Sequence, residues 1–339
     1  MEPNGFTALR LLCAFFVLFT HSYGLLGLHY DPLWRLSGLV VFGGVGVDAF
    51  FAISGFLVCS SLLRAPSSLA YLRNRLLRLL PALIVLVLVL VLLLGPAMTS
   101  SADYWRDKAT WRFLATVTIY GQQQHLPGVF AENPTDGVAG PLWTLPLELT
   151  CYLLLLALER SRLLTARGLG VAVAALLALH LGEVFQPHRL LLRMDVARLD
   201  RFAVLFFGGA LLAVLGGKVR HGPAAAGCAF LLIAAAAIPQ RQPLFELIYL
   251  PVLPYFLVSL ARSMPWAARL DRWDASYGVY LWGYPVQQSL VALLGVGIGS
   301  ASLFLASAPI VLALASVSWL LVEKPALSFK TKPAFNLLA

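Results

Sequence analysis

The sequence predicts an all-α fold, a polytopic bundle of about ten transmembrane helices, and three observations predict it. The 339 residues are 60% hydrophobic and only 12% charged, with a mean hydropathy of +0.82. A soluble protein of this length has too little interior to hide so much apolar surface. Several apolar runs reach the length of a membrane helix, the cleanest being Leu79–Met98, which carries no charge. The basic residues fall between the runs with a bias to one side, as positive-inside sorting requires.

In chain order the spans lie near 9–28, 38–63, 79–98, 140–158, 168–186, 202–217, 223–239, 244–260, 276–298 and 302–322. The sixth and seventh are short. Pro251 and Pro254 should kink the eighth. The first has a single basic residue before it and no small-x-small cleavage site after it, so it reads as a retained helix rather than a signal peptide. No repeat or composition shift divides the chain, and 1–339 reads as one domain. The longest extramembrane segment, about 99–139, is polar and aromatic and then turn-rich; a lid or acceptor-binding role is favoured over a plain connector.

With both termini in the cytoplasm, sixteen of the 25 Lys and Arg face inward, among them Arg10, Arg64, Arg73, Arg75, Arg78, Arg160, Arg262, Lys324 and Lys330. The net charge of +9 therefore reads as topology and contact with anionic lipid, not as nucleic-acid binding. Cys13, Cys59, Cys151 and Cys228 all fall in spans and read as packed thiols. No histidine pair has metal-ligand spacing, so no metal site is expected.

Ionisable groups inside spans are costly and point to function. Arg10 and His21 stand eleven residues apart in the first span, close to three helical turns and so nearly on one face. Asp48 lies deep in the glycine-rich second span and reads equally as a helix-to-helix hydrogen bond or a catalytic carboxylate. Glu148 follows Pro141 and Pro146 in the fourth span, with Trp143 beside it as an interfacial anchor or a site residue. In this topology His21, Asp48 and Glu148 lie about 10, 15 and 12 Å below the outer surface, one layer shared by three helices. Tyr284, Gln287 and Gln288 of the ninth span reach a similar depth. Arg10 sits near the inner surface, and the segment 71–82 places Arg73, Arg75 and Arg78 on that side with Pro81 where a helix could begin. Ordinary positive-inside charge is the simpler account of that cluster, and docking of a phosphorylated cosubstrate the sharper one. His180, Glu183 and Glu246 lie near span ends and read as interfacial, and Glu323-Lys324-Pro325 as a helix terminator.

The chain resembles acyltransferase family 3, the integral membrane acyltransferases of bacterial surface carbohydrates. Four segments carry the resemblance: Arg10 with ten residues before His21, GVDAFFAISGFL at 46–57, LRNRLLRLLP at 72–81, and LPGVFAENP at 126–134 followed by GPLWTLPLELTCYLL at 140–154. SYGVYLWGYPVQQ at 276–288 and VEKP at 322–325 match more weakly. The resemblance implies essential roles for Arg10 and His21, acidic span positions at Asp48 and Glu148, and a basic motif at Arg73, Arg75 and Arg78. Gly283 is a departure, since many members carry histidine there.

The function so implied is a membrane O-acyltransferase of the bacterial inner membrane, moving an acyl group, expected to be acetyl, from acetyl-CoA to a sugar hydroxyl of a surface polysaccharide or its lipid-linked precursor. In that scheme Arg10, Arg73, Arg75 and Arg78 hold the CoA phosphates. A hydroxyl needs a base, and histidine, with a pKa near operating pH, suits the task. His21 is the candidate, oriented by Glu148 or Asp48, or else it carries the acyl group covalently. Trp143, Tyr284 and Gln287 are the candidate substrate-binding residues. A transporter or flippase for a lipid-linked or polar substrate is the alternative; the absence of paired repeats disfavours it.

Overall fold

The computed structural model describes residues 4–183, 190–191, 194–216, 223–236 and 242–331. Arg189, Arg193, Lys218, Arg220, Arg241 and Lys332, and the span edges expected at 184–186, 217 and 237–239, lie outside the described residues. The main helices are α1 (Phe6–Gly24), α2 (Phe42–Leu62), α3 (Ser68–Met98), α4 (Thr144–Arg160) and α5 (Ala166–Glu183). They continue with α6 (Val196–Leu215), α7 (Pro223–Ala236), α8 (Gln242–Arg262), α9 (Ser276–Leu294) and α10 (Ser300–Ser328). Each falls on one of the expected spans. Six of the helices, α1, α2, α3, α4 with its preceding turn, α8 and α10, are long and apolar enough to cross a membrane, so the expected count of about ten is approximate. Of the others, α6 carries Arg198, Asp200 and Arg201 near its start, and α9 is rich in tyrosine and glutamine.

Two helices differ from expectation in an instructive way. The third begins at Ser68, not near residue 79, because the Ser67 hydroxyl accepts from the Ala70 N–H at 3.2 Å and caps the helix there. The basic segment is thus the first turns of α3, and Pro81 sits inside it. Over 31 residues the helix is about 46 Å long, well beyond a hydrocarbon core. The last helix likewise runs through Glu323-Lys324-Pro325 instead of stopping there. A π turn at Trp319–Glu323 shifts the phase, and Pro325 then falls in the first turn of the segment Lys324–Ser328, where its missing N–H costs little.

The bundle closes through small residues and buried charge. At the crossing of α2 and α6 the backbones nearly touch. A Cβ on Gly55 would lie 1.8 Å from the Phe206 carbonyl oxygen, and one on Gly209 would lie 2.1 Å from that of Ala52. Only glycine fits such an approach. Near the same interface Asp48 (α2) takes a bidentate pair from Arg201 (α6), with the Nη2–Oδ2 contact at 2.8 Å, and accepts from the Tyr249 hydroxyl (α8) at 2.9 Å. Arg201 Nε also meets Glu246 at 3.4 Å. His180 (α5) lies between Asp200 at 3.0 Å and Glu246 at 3.3 Å. His180 and Glu246 are therefore buried partners in a network joining four helices, not interfacial residues.

Two outcomes are expected. Gly55→Leu should prevent folding, read as loss of monodisperse protein on size exclusion in detergent. Removing one partner of a buried ion pair leaves the other charge uncompensated, so Asp48→Ala should cost about 3 kcal/mol. Its melting temperature should fall, with part of the loss recovered in Asp48→Asn/Arg201→Gln.

Candidate functional site

One face of α9, extended by Asp274 two residues before the helix, organises the site. Asp274, Tyr277, Tyr280, Tyr284 and Gln288 recur every three or four residues, which places them in a line. Fourteen residues of helix make that line about 21 Å long.

At its lower end Asp274 joins two helices. Its Oδ2 accepts from Arg10 (α1) at 2.9 Å and from Arg78 (α3) at 2.7 Å, while Oδ1 accepts from the Ser276 hydroxyl at 2.6 Å. Burial opposes the ionised form of Asp274, but Arg10 and Arg78 outweigh it and hold its carboxyl well below the usual carboxylate range. The second nitrogen of Arg78 reaches Glu323 at 3.3 Å, and its guanidinium lies over the rings of Tyr277 and Trp319. The π turn of α10 turns Glu323 inward to make this contact.

Above the arginines is a cavity of about 100 Å³, room for several water molecules. Its polar lining includes Arg10, Arg75, Arg78, Glu148, Tyr152 and Tyr280, and its apolar wall includes Val47, Phe50 and Leu79. Glu148 accepts a short hydrogen bond from the Tyr152 hydroxyl one turn along α4. Tyr280 donates to the Pro141 carbonyl at 2.7 Å and shares a 2.7 Å hydrogen bond with the Thr144 hydroxyl. Tyr280 and Thr144 both line the cavity, and His21 does not.

One turn further, His21 meets the ring of Tyr284 edge to face, with centroids 5.2 Å apart. The Tyr284 hydroxyl pairs with Thr135 at 3.2 Å. Gln288 then clamps the connecting segment: its Nε2 donates to the carbonyls of Thr135 at 2.9 Å and Gly137 at 2.6 Å, and its Oε1 accepts from Asn133 at 2.7 Å. The segment 133–137 is thus fixed over the His21 end of the line.

The candidate residues separate into groups. Arg10, Arg75, Arg78 and Glu148 share the cavity. Arg73 is exposed and outside it, because two residues along a helix turn a side chain by about 200° from Arg75. Asp48 belongs to the Arg201 network, and neither Asp48 nor Glu148 hydrogen-bonds the His21 ring, so the expected carboxylate–histidine pairing is not what the structure shows. Trp143 is half-buried under the Arg198 guanidinium at 4.9 Å and does not line the cavity. Gln287 is fully buried and donates to the Leu18 carbonyl and the Ser307 hydroxyl, tying α9 to α1 and α10. Gly283 packs against α1, where an added Cβ would lie 3.0 Å from Leu18 Cδ1. Sequence reasoning missed Asp274, Tyr277, Tyr280 and Thr144. The recurrence of Tyr277, Tyr280 and Tyr284 on one helical face was the available signal.

Comparison with known proteins gives the family. The acyltransferase domain model of acyltransferase 3 matches residues 4–322. The O-acetyl transferase of Shigella phage Sf6 is 28% identical over 340 residues, covering 99% of both chains. Nodulation protein 10 of Rhizobium leguminosarum bv. viciae is 33% identical over 361 residues, covering 97% of this chain and 94% of that protein. No solved structure matches. The chain belongs to the acyltransferase 3 family and is a multi-pass membrane acyltransferase. A transporter is thereby the weaker of the two classes.

Asp274→Asn should uncouple the two arginines it bridges. Acyl transfer should be lost and the melting temperature lowered, whereas Asp271→Asn, which touches only the Thr7 hydroxyl at 2.6 Å, should leave transfer intact.

Proposed function

We propose that this member of the acyltransferase 3 family transfers an acyl group, acetyl in the simplest case, from acyl-CoA to a sugar hydroxyl of a surface carbohydrate. The observation that carries the reading is the line along α9, with an arginine-lined cavity at one end and His21 under a clamped segment at the other. Both termini lie in the cytoplasm in this scheme, so the arginines face the donor's compartment and the 133–137 segment faces outward.

The thioester enters from the arginine end. Arg10, Arg75 and Arg78 hold its phosphates, and the apolar wall takes the uncharged arm toward Tyr280. Arg73 has no part in this cradle. The acceptor hydroxyl arrives beside His21 and Tyr284. Its oxygen forms a bond to the thioester carbonyl carbon while His21 takes its proton. The carbon–sulfur bond then breaks, and His21 returns the proton to the departing thiolate. Among the described residues no carboxylate bonds its ring, and His21 is positioned by its edge-to-face contact with Tyr284 rather than by a charge. Glu148 serves as the acidic wall of the donor cavity opposite the arginines, and Asp48 serves the helix assembly.

The alternative, a relay in which His21 is itself acylated before the acceptor arrives, uses the same cavity and the same ring. Acyl-histidine in protein quenched with donor alone would separate the relay from direct transfer.

His21→Ala should remain in the membrane and lose carbohydrate acylation entirely, measured by mass spectrometry of surface polysaccharide from cells with and without the variant. Acylation at the wild-type level in that variant would overturn the reading.

A further inference from the structure

The arginine end of the bundle holds more positive charge than its carboxylates satisfy. Asp274 and Glu323 occupy Arg10 and Arg78. Arg75 lines the same cavity with one weak contact, to the Ser61 hydroxyl at 3.4 Å, and its Nε is buried with no hydrogen-bond partner. An unsatisfied guanidinium N–H is a costly feature, and an anion bound where this side chain lines the cavity would offset it.

The chain beyond α10 brings a fourth cation to this point. Asn74, buried and one residue before Arg75, pairs with the backbone of Thr331 in both directions. Its Nδ2 donates to the Thr331 carbonyl at 3.3 Å, and its Oδ1 accepts from the Thr331 N–H at 3.0 Å. This two-point strap fixes Lys330 beside the basic face of α3. Lys330 is half-buried and makes no ion pair among the described residues. Burial and the charges of Arg75, Arg78 and Arg10 push its ammonium down to about 8, with Asp274 opposing. The other acids at this end are Glu323, which is turned to Arg78, and Glu148, which lines the cavity with the arginines.

We propose that Lys330, held by the Asn74–Thr331 strap, completes with Arg75 a phosphate-binding subsite at the mouth of the cavity, filled by a phosphate of the acyl donor. This rests on the acyl-CoA reading above. It deepens that reading by assigning donor recognition to a segment outside the bundle. The same chemistry would accept the phosphate of an anionic lipid headgroup, and the test distinguishes the two sources.

The full chain would be reconstituted in phosphatidylcholine nanodiscs as wild type, Lys330→Met, Lys330→Arg and Asn74→Ala. Loss of one charge-assisted contact should raise the KM for acetyl-CoA about tenfold in Lys330→Met with kcat little changed. Lys330→Arg should restore it, and Asn74→Ala should reproduce the Lys330→Met effect by releasing the strap. With acetyl-pantetheine, which lacks phosphate, wild type and Lys330→Met should have the same KM. The wild-type KM for acetyl-CoA should rise between pH 7 and 9 as the lysine loses its proton, and that of Lys330→Arg should not. An unchanged KM in Lys330→Met, or an equal rise with acetyl-pantetheine, would overturn the proposal. An effect of Lys330→Met seen only after anionic lipid is added would assign the subsite to a headgroup and overturn the donor assignment. Calorimetric binding of adenosine 3′,5′-bisphosphate reads the subsite without turnover. If wild type transfers nothing from acetyl-CoA yet binds this probe more tightly than Lys330→Met, the functional reading fails and the subsite stands.

Discussion

The carboxylate of Asp274 is the constraint on which the rest of the site depends. A single oxygen receives both Arg10 and Arg78, so one group fixes α1 and α3 against the start of α9. Two guanidiniums brought this close repel each other, and in a poorly solvated setting the repulsion is weakly screened. Asp274 turns the repulsion into a bridge, and Glu323 adds α10 by taking the free side of Arg78. Four helices thus meet on two carboxylates. The cavity exists because those arginines are held at its floor rather than folded outward toward water.

A second charged network, at Asp48, makes a useful contrast. There, acids and bases alternate: Asp48, Arg201, Glu246, His180 and Asp200 each face an opposite partner. Such a set holds helices together, with one buried carboxylate oxygen of Asp200 left without a hydrogen-bond partner. At the other end the cations outnumber the acids that touch them, and Arg75 keeps an orphaned N–H. Both sets consist of ionisable groups buried between helices, and it is the excess of cations at the second that supports the anion site proposed there.

This difference also explains what the sequence could and could not reveal. Helices were legible because apolar runs of the right length are a local signal, and all ten runs fell on helices. Arg10, Arg75, Arg78 and Glu148 were legible as costly residues in or beside spans, and the structure gathers them around one cavity. Pairings were not legible. Asp48 has no cation near it in sequence, and its partner Arg201 lies 153 residues away. Asp274 looked like an ordinary residue before a helix, and Glu323 like the end of one, because their roles come from contacts 196 and 245 residues distant. Estimated depth put His21, Asp48 and Glu148 in one layer, but depth along a helix axis says nothing of which way a side chain points. Asp48 faces Arg201 and Glu148 faces the arginines, which leaves His21 to Tyr284.

That outcome bears on how a lone histidine can serve as base. A carboxylate partner stabilises the imidazolium and fixes the ring. His21 has instead an edge-to-face contact with Tyr284. An imidazolium without a counter-charge is a high-energy state in a half-buried setting, so the reaction proposed above requires the proton to move on quickly, to the thiolate that the proposed donor releases. The histidine then depends on the two substrates being present together. In the proposed reaction Tyr280 and Thr144 line the donor cavity on one side of His21 and Gln288 clamps the segment 133–137 on the other, so the line along α9 runs between the two substrates.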